Sequence, residues 1–183
     1  MSKSQSERYS RQILLKQVGE EGQEKLLNSH VLVVGAGGLG SPAALYLASA
    51  GVGHIGILDD DNVDLTNLQR QIIHSSESIG TPKVLSAKRR IEALNPDIKV
   101  SALRERLEED NAKDIFKDYD FILDATDNFQ TKFLINDTCV VLKKPFSHGG
   151  IQEFGGQLTT YVPGKGPCYR CIFEEPPEDG VIP

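Results

Sequence analysis

Residues 31–40 read Val-Leu-Val-Val-Gly-Ala-Gly-Gly-Leu-Gly. The first four are apolar and mostly β-branched, and the run stops at a glycine, as a strand buried on both faces of a parallel sheet does. Gly35, Gly37 and Gly40 then match G-x-G-x-x-G, and a helix of small residues is expected from about Leu39 to Ala50. In that motif the first glycine permits a tight turn and the second lets a phosphate approach the backbone. The third lets the helix pack closely on the strand. The free N–H groups at the helix start attract an anion. A lone match also fits a plain turn; the strand before it and the helix after it favour a nucleotide site.

Working outward, a second strand is expected at His54–Leu58, ending on Asp59, Asp60 and Asp61. Pro82 opens a helix whose apolar positions Val84, Ala87, Ile91 and Leu94 recur three or four apart. Asn95-Pro96 stops it. Ile98, Val100 and Ala102 alternate as a third strand, and a short acidic helix follows. Phe121–Leu123 is a fourth strand, closed by Asp124-Ala125-Thr126-Asp127-Asn128. Asn128 is placed to cap the next helix, to about Lys143. Pro145–Gly150 and Gln157–Val162 read as two more strands. This alternation is that of an α/β protein, a Rossmann-like, mostly parallel sheet with helices on both faces. We divide the chain into an N-terminal helical arm at 1–29, a nucleotide-binding domain at 30–162 and a proline-rich loop at 163–183. Five of the nine prolines lie in that last segment, which therefore reads as loop throughout.

Composition bounds the rest. The 183 residues carry 39% hydrophobic and 25% charged residues, ordinary for a globular domain, and a net charge of −6. That charge argues against nucleic acid as a partner. No apolar run approaches the roughly 20 residues of a membrane span, and Met1–Ser10 is polar, so neither membrane nor secretion is expected. Three cysteines do not make a disulfide framework, which makes a reducing cytoplasm the default.

Which nucleotide binds is not settled by the glycines. Asp59 lies nineteen residues after Gly40, where a ribose ligand sits in dinucleotide enzymes, and taken alone favours NAD. The neighbouring residues favour a triphosphate. Asp59–Asp61 suit Mg²⁺, which takes one or two carboxylates plus phosphate oxygens. Asn67, Arg70, Gln71 and Lys83 follow, and the two cations match a triphosphate's charge. Asp124 and Asp127 form a second carboxylate pair at a strand end, on the rim the glycine turn shares. The alternative is that these carboxylates are solvated loop residues. Arg8 and Arg11, on their own, read as surface charge on a helix.

The pieces Arg8-Tyr9-Ser10-Arg11-Gln12, Gly35–Pro42, Asp59–Asp61, Asn67–Gln71, Gly80–Lys83, Asp124–Asn128 and Cys168–Cys171 jointly resemble the ThiF/MoeB/HesA group, bacterial relatives of the ubiquitin-activating enzymes. The resemblance covers essentially the whole chain. It implies ATP rather than NAD. It implies adenylation of the C-terminal glycine carboxylate of a ubiquitin-like sulfur carrier, with release of pyrophosphate, in thiamin, molybdopterin or related sulfur-transfer biosynthesis, and a possible sulfur donor protein. Carried over, Gly35, Gly37, Gly38 and Gly40 face the phosphates and Asp59 binds ribose. Asn67, Arg70, Gln71 and Lys83 grip the nucleotide, with Asn128 beside them. Asp127 with Asp61 holds Mg²⁺, and Arg11 reaches into the partner subunit of a homodimer. The catalytic set it implies is Arg11, Arg70, Lys83 and Asp127.

Cys168 and Cys171 form C-x-x-C, read as lying in a loop and suited to one half of a tetrahedral zinc site. The family completes that site with a second pair which these 183 residues lack, so zinc fits a longer chain better than this one. A redox pair is the alternative, although such pairs sit at a helix N-terminus. Cys139, in a predicted helix, reads as a buried small residue. The four histidines show no ligand spacing with the pair. The stretch looks like the N-terminal portion of a longer protein, cut, proteolysed or naturally short. Gly149, Gly150, Phe154, Gly155 and Gly156 either shape a channel for the carrier's tail or simply end strands. Pro163–Pro167 lacks the upstream glycine and following Ser/Thr of a phosphate loop and reads as a turn. Two other readings stay open: an NAD-dependent oxidoreductase, and a non-catalytic form that binds nucleotide or carrier.

Overall fold

The structure is a computed structural model and describes residues 1–175. Strands β1 (His30–Val34), β2 (His54–Leu58), β3 (Lys99–Leu103), β4 (Phe121–Asp124), β5 (Phe146–Gln152) and β6 (Gly155–Tyr161) form one sheet in the order β3-β2-β1-β4-β5-β6. The first five are parallel, and β6 returns antiparallel to β5 as a hairpin. The expected α/β architecture is therefore present, with the two late strands paired to each other.

Alternation along β1 builds both cores. Val31 and Val33 face one side, where they pack with Ala44 and Ala48 of α4 (Gly40–Ala50) and Val84, Ala87 and Ile91 of α5 (Lys83–Leu94). Leu32 and Val34 face the other, against Ala112 and Phe116 of α6 (Ala112–Phe116) and Phe133, Ile135 and Cys139 of α7 (Phe129–Leu142). Helices thus cover both faces, as near-continuous apolar strands require. Because β2 and β4 flank β1 on opposite sides, the chain runs outward in opposite directions from β1. A crevice opens at the C-terminal ends of β1 and β4, where ligands bind in open α/β sheets.

The arm contains α1 (Lys3–Arg8), α2 (Ser10–Ile13) and α3 (Gly19–Leu27) and is pinned to the domain through Tyr9. Tyr9 is 1% exposed, and Asn95 Nδ2 donates to its hydroxyl at 2.8 Å. Gly51 lies against the ring with φ +87°; a Cβ there would stand 2.6 Å from Tyr9 Cζ. Arg8 adds an ion pair to Asp97 at 3.5 Å.

One element departs from the expected texture. The segment after Pro163 is not loop throughout: α8 (Tyr169–Ile172) is a one-turn helix with Cys168 at its N-cap. Tyr169 drives this. Its ring is 2% exposed, edge-on to Phe133 and 4.5 Å from the ring of His148, so burial of one aromatic fastens a segment that composition marks as open. Among the described residues no helix is long and apolar enough to cross a membrane.

Candidate functional site

A cleft of about 580 Å³ lies at the crevice between β1 and β4. Its floor is the glycine turn. Gly35 adopts φ +97°, and a Cβ on it would stand 2.7 Å from Ala125 O in the turn after β4. A Cβ on Gly40 would stand 1.9 Å from Gly35 O. The first and third glycines are therefore fixed by the protein's own packing. Gly37 is different: the nearest atom to its Cβ would be Gln71 Nε2 at 3.7 Å, so the backbone at Gly37 lies open to the cleft.

Asp59, at the end of β2, faces this turn. Its Oδ2 accepts from Ala36 N at 2.8 Å and its Oδ1 from Asp61 N at 2.9 Å. Burial pushes its carboxyl above the ordinary value, and the two backbone donors oppose that. The carboxylate thus ties the glycine turn to the loop after β2 while still lining the cleft. His74 works from behind: its Nε2 meets Ala36 O at 3.0 Å and its Nδ1 meets Ser86 Oγ at 2.9 Å.

Arg70, Gln71 and Lys83 come from the segment between β2 and α5 and line the same cleft. Arg70 is exposed and its stem covers Gly38, 3.5 Å from where a Cβ would be. Lys83 is buried, with Nζ 2.8 Å from Asp61 Oδ2. Gln71 is 4% exposed and its Oε1 has no hydrogen-bond partner. A buried unpaired amide oxygen at a cleft wall is a group waiting for a donor. Asp127 and Asn128 line the far side; Asn128 also caps α7, accepting from Thr131 N at 2.8 Å.

Several expected residues lie elsewhere. Asp124 is not a rim carboxylate beside Asp127. It is 2% exposed and turned inward, bonded to His148 Nδ1 at 2.9 Å and Thr126 Oγ1 at 2.7 Å, with Lys132 Nζ at 3.4 Å. Asn67 does not line the cleft. Its side-chain oxygen accepts from Asp64 N at 3.0 Å and closes a 3₁₀ turn. Arg11 is exposed and lies outside the cleft of its own chain. Phe154 is fully exposed at the β5–β6 turn, while Gly150 lines the cleft.

Other cleft residues carry no sequence motif. Glu105, Arg106 and Leu107 reach it from the loop after β3, brought there by strand order alone. Lys132 reaches it from α7. A sequence signal could have found it: it shares a helix face with Phe129, Ile135 and Cys139, apolar positions among which a lysine is out of place.

The thiols of Cys168 and Cys171 lie 3.6 Å apart. Cys168 is an N-cap and Cys171 sits within α8, so the pair is not in a loop as expected. Among the described residues no group of three or more His, Cys, Asp or Glu is placed to hold a metal ion. His148, which showed no ligand spacing with the pair, packs against the ring of Tyr169, the residue that follows Cys168, with the two ring planes tilted by 55°.

The ThiF family model matches residues 9–183. The chain belongs to the ThiF family. This ThiF-family chain is 49% identical over 180 residues to the SAMP-activating enzyme E1 of Haloferax volcanii, covering 98% of the chain and 66% of that protein. It is 46% identical over 187 residues to the sulfur carrier protein adenylyltransferase of Thermus thermophilus, covering 100% and 69%. It is 53% identical over 175 residues to the adenylyltransferase and sulfurtransferase MOCS3 of Culex quinquefasciatus, covering 96% and 40%. The chain thus spans between two fifths and about two thirds of these relatives. Among solved structures it superposes on Escherichia coli MccB with ATP at a TM-score of 0.83, with 31% identity, over 90% of this chain and 50% of that one.

Proposed function

We propose that this chain binds Mg·ATP in the β1–β4 cleft and adenylates the C-terminal glycine carboxylate of a ubiquitin-like sulfur carrier. The observation that carries this reading is the set of groups converging on one cleft. An open backbone at Gly37, a half-buried carboxylate at Asp59 and two cations, Arg70 and Lys83, meet there, with Asp127 opposite. The names of the relatives support it: two are adenylyltransferases and the third is an activating enzyme E1. MccB, solved with ATP and with AMPCPP and MccA, supports the choice of nucleotide.

In the proposed reaction a carboxylate oxygen of the carrier attacks the α-phosphorus. The bond from that phosphorus to the α–β bridging oxygen breaks, and pyrophosphate leaves with the electron pair. The product is an acyl-adenylate, and no proton need be moved by the protein. Two anions must be held together and the charge on the leaving group neutralised, so positioning and cations carry the catalysis. Arg70 and Lys83 serve the β- and γ-phosphates, Asp59 the ribose, and the backbone at Gly37 and Gly38 the close approach of phosphate, with Gly35 and Gly40 permitting the tight turn that presents it. Gln71 Oε1 is free to accept a bond from the nucleotide and Asn128 lies at the cleft wall, while Asn67 acts by shaping the turn that carries Arg70 and Gln71. Asp127, exposed in the cleft, fits Mg²⁺ with Asp61, which shares its carboxylate with Lys83. When bound, Mg²⁺ draws charge from the phosphate oxygens.

Arg11, outside its own cleft, acts in this reading on the partner subunit of a homodimer. Cys168 and Cys171 are suited to two of the four ligands of a structural zinc, and the described residues place no third ligand beside them, so zinc fits a longer chain better than this one. The cytoplasm is the compartment we assign, and a sulfur donor would act on the acyl-adenylate.

The test is calorimetry with Mg·ATP and, separately, with NAD, followed by pyrophosphate exchange with a ubiquitin-like carrier. Mg·ATP binding and carrier-dependent exchange lost in Asp127→Ala are expected. NAD binding without ATP binding overturns the reading, as does full exchange by Asp127→Ala.

A further inference from the structure

Lys132 is 1% exposed, and its ammonium sits among acceptors alone. Thr126 O lies at 2.6 Å, Gly149 O at 2.9 Å, and the two oxygens of Asp124 at 3.4 and 3.5 Å. A lysine ammonium has three N–H donors, and three acceptor groups take them all, so none is left for a ligand. A neutral amine has too few donors for this arrangement. A buried charge is costly unless paired, and an apolar side chain would fill the same helix face without that cost. The position therefore uses the ammonium for what only it can do, which is to hold two carbonyls and a carboxylate toward one point.

Those carbonyls belong to two different walls of the cleft. Thr126 O is part of the peptide plane that begins Asp127, and Thr126 N is itself held by Asp124 Oδ1 at 3.0 Å. Both ends of Thr126 are thus fixed one residue before the proposed metal ligand. Gly149 O is part of the peptide plane that begins Gly150, which lines the cleft from β5. The clamp is backed by a further layer: Asp124 Oδ2 bonds His148 Nδ1 at 2.9 Å, and His148 packs on Tyr169.

We propose that Lys132 is a positioning residue: its buried ammonium ties the turn after β4 to β5 and so sets where the Asp127 carboxylate meets the metal bound to ATP. The inference rests on the function proposed above and adds to it a residue which no motif marks. Without the ammonium, Thr126 O and Gly149 O would lose this donor, and Asp124 would face them with its charge no longer balanced by the lysine. The two walls would separate, and Asp127 would lose its aim while the glycine turn, Arg70 and Lys83 stayed in place.

The test is calorimetry of the full chain with ATP, once with Mg²⁺ and once with EDTA, which gives the gain in affinity due to the metal. Lys132→Met, similar in length and uncharged, is expected to lose roughly 10-fold or more of that gain, the size typical of outer partners of metal ligands. Its metal-free ATP affinity is expected to stay within about 3-fold of wild type, since the loss falls on the metal ligand and not on the phosphate cations. Equal losses with and without metal would mean that Lys132 only supports the fold, and would overturn the proposal, as would an unchanged gain. If Lys132→Met shows no cooperative unfolding transition, Asp124→Asn decides. It withdraws the ammonium's charge partner, and the same selective loss is expected, with an equal loss or none overturning the proposal. Wild type that binds no ATP overturns the adenylation reading and this inference together. Wild type that binds ATP alike with and without Mg²⁺ overturns this inference alone.

Discussion

Lys83 Nζ lies 2.8 Å from Asp61 Oδ2, and the two side chains differ in exposure: 8% for the lysine, 69% for the aspartate. The buried partner is fixed and the exposed one is free to leave. Asp61 therefore neutralises Lys83 while the cleft is empty and can yield it to a phosphate at little cost, since one member of the pair stays solvated. A charge-assisted hydrogen bond contributes about 1.5–3 kcal/mol. Lys83→Met is expected to weaken ATP binding roughly 10- to 100-fold on that basis. Asp61→Asn is expected to do the opposite in EDTA, strengthening metal-free ATP binding, and to weaken it with Mg²⁺ present. Calorimetry on the two variants checks both signs; an unchanged affinity in Lys83→Met would remove the lysine from the phosphate grip.

Two glycines of one motif should separate stability from binding. At Gly40 a Cβ would stand 1.9 Å from Gly35 O, a backbone atom that cannot step aside. Gly40→Ala should cost at least about 2 kcal/mol of unfolding free energy through overpacking. At Gly37 nothing of the protein lies within 3.7 Å of such a Cβ. Gly37→Ala should leave stability within about 0.5 kcal/mol of wild type. Its methyl would instead occupy the space that a phosphate needs, so ATP affinity should fall by at least about 10-fold. Urea midpoints and calorimetry on the pair test this, and equal destabilisation by both would refute the division.

The three cysteines should react in two classes. Cys139 is 0% exposed within α7, and burial pushes its thiol up to about 12. Cys168 is half-buried and Cys171 exposed. The hydrogen bonds that Cys168 receives from the Cys171 and Arg170 backbone and the Cys171 thiol outweigh its burial, and its thiol lies below the ordinary range. Iodoacetamide should add two labels to the native, metal-free protein and a third only on unfolding, read by intact mass. Three fast labels would show that the α7 core opens far more readily than its packing implies.

Local chemistry made most of this legible in the sequence. The β1 run, the glycine spacing, the carboxylate after β2 and the apolar stripe of α5 each depend on near neighbours, and each predicts its element. Apart from Lys132, whose helix stripe marks it, burial of polar groups was not legible, because it depends on residues far away in the chain. Asp124 and Asp127 look alike as strand-end carboxylates. What turns Asp124 inward is His148, twenty-four residues on, and Lys132 on the next helix. Glu105, Arg106 and Leu107 enter the cleft because β3 lies beyond β2, a consequence of strand order and not of any motif. Tyr169 turns a proline-rich segment into a docked helix through contacts with α7 and β5, which composition cannot show.

Asp124 should also leave its mark on acid stability. Burial alone would raise its carboxyl, but the bond from His148, the charge of Lys132 and the Thr126 donors outweigh it and hold the group below its ordinary value of 3.8. A carboxyl depressed in the folded state binds its proton more weakly there than when unfolded. Its contribution is therefore fully present above pH 3.8 and is lost as pH falls below that value through the folded-state value. Asp124→Asn cannot titrate. At neutral pH it should be less stable than wild type by roughly 3 kcal/mol, since Lys132 is left buried without its countercharge. Below pH 4 the two proteins should converge, because wild type loses the charge that the variant never had. Urea unfolding of both proteins between pH 7 and pH 2.5 reads the difference directly. A gap that stays constant across that range would mean that the carboxylate's charge contributes nothing, and that shape and hydrogen bonding alone hold the turn after β4 in place.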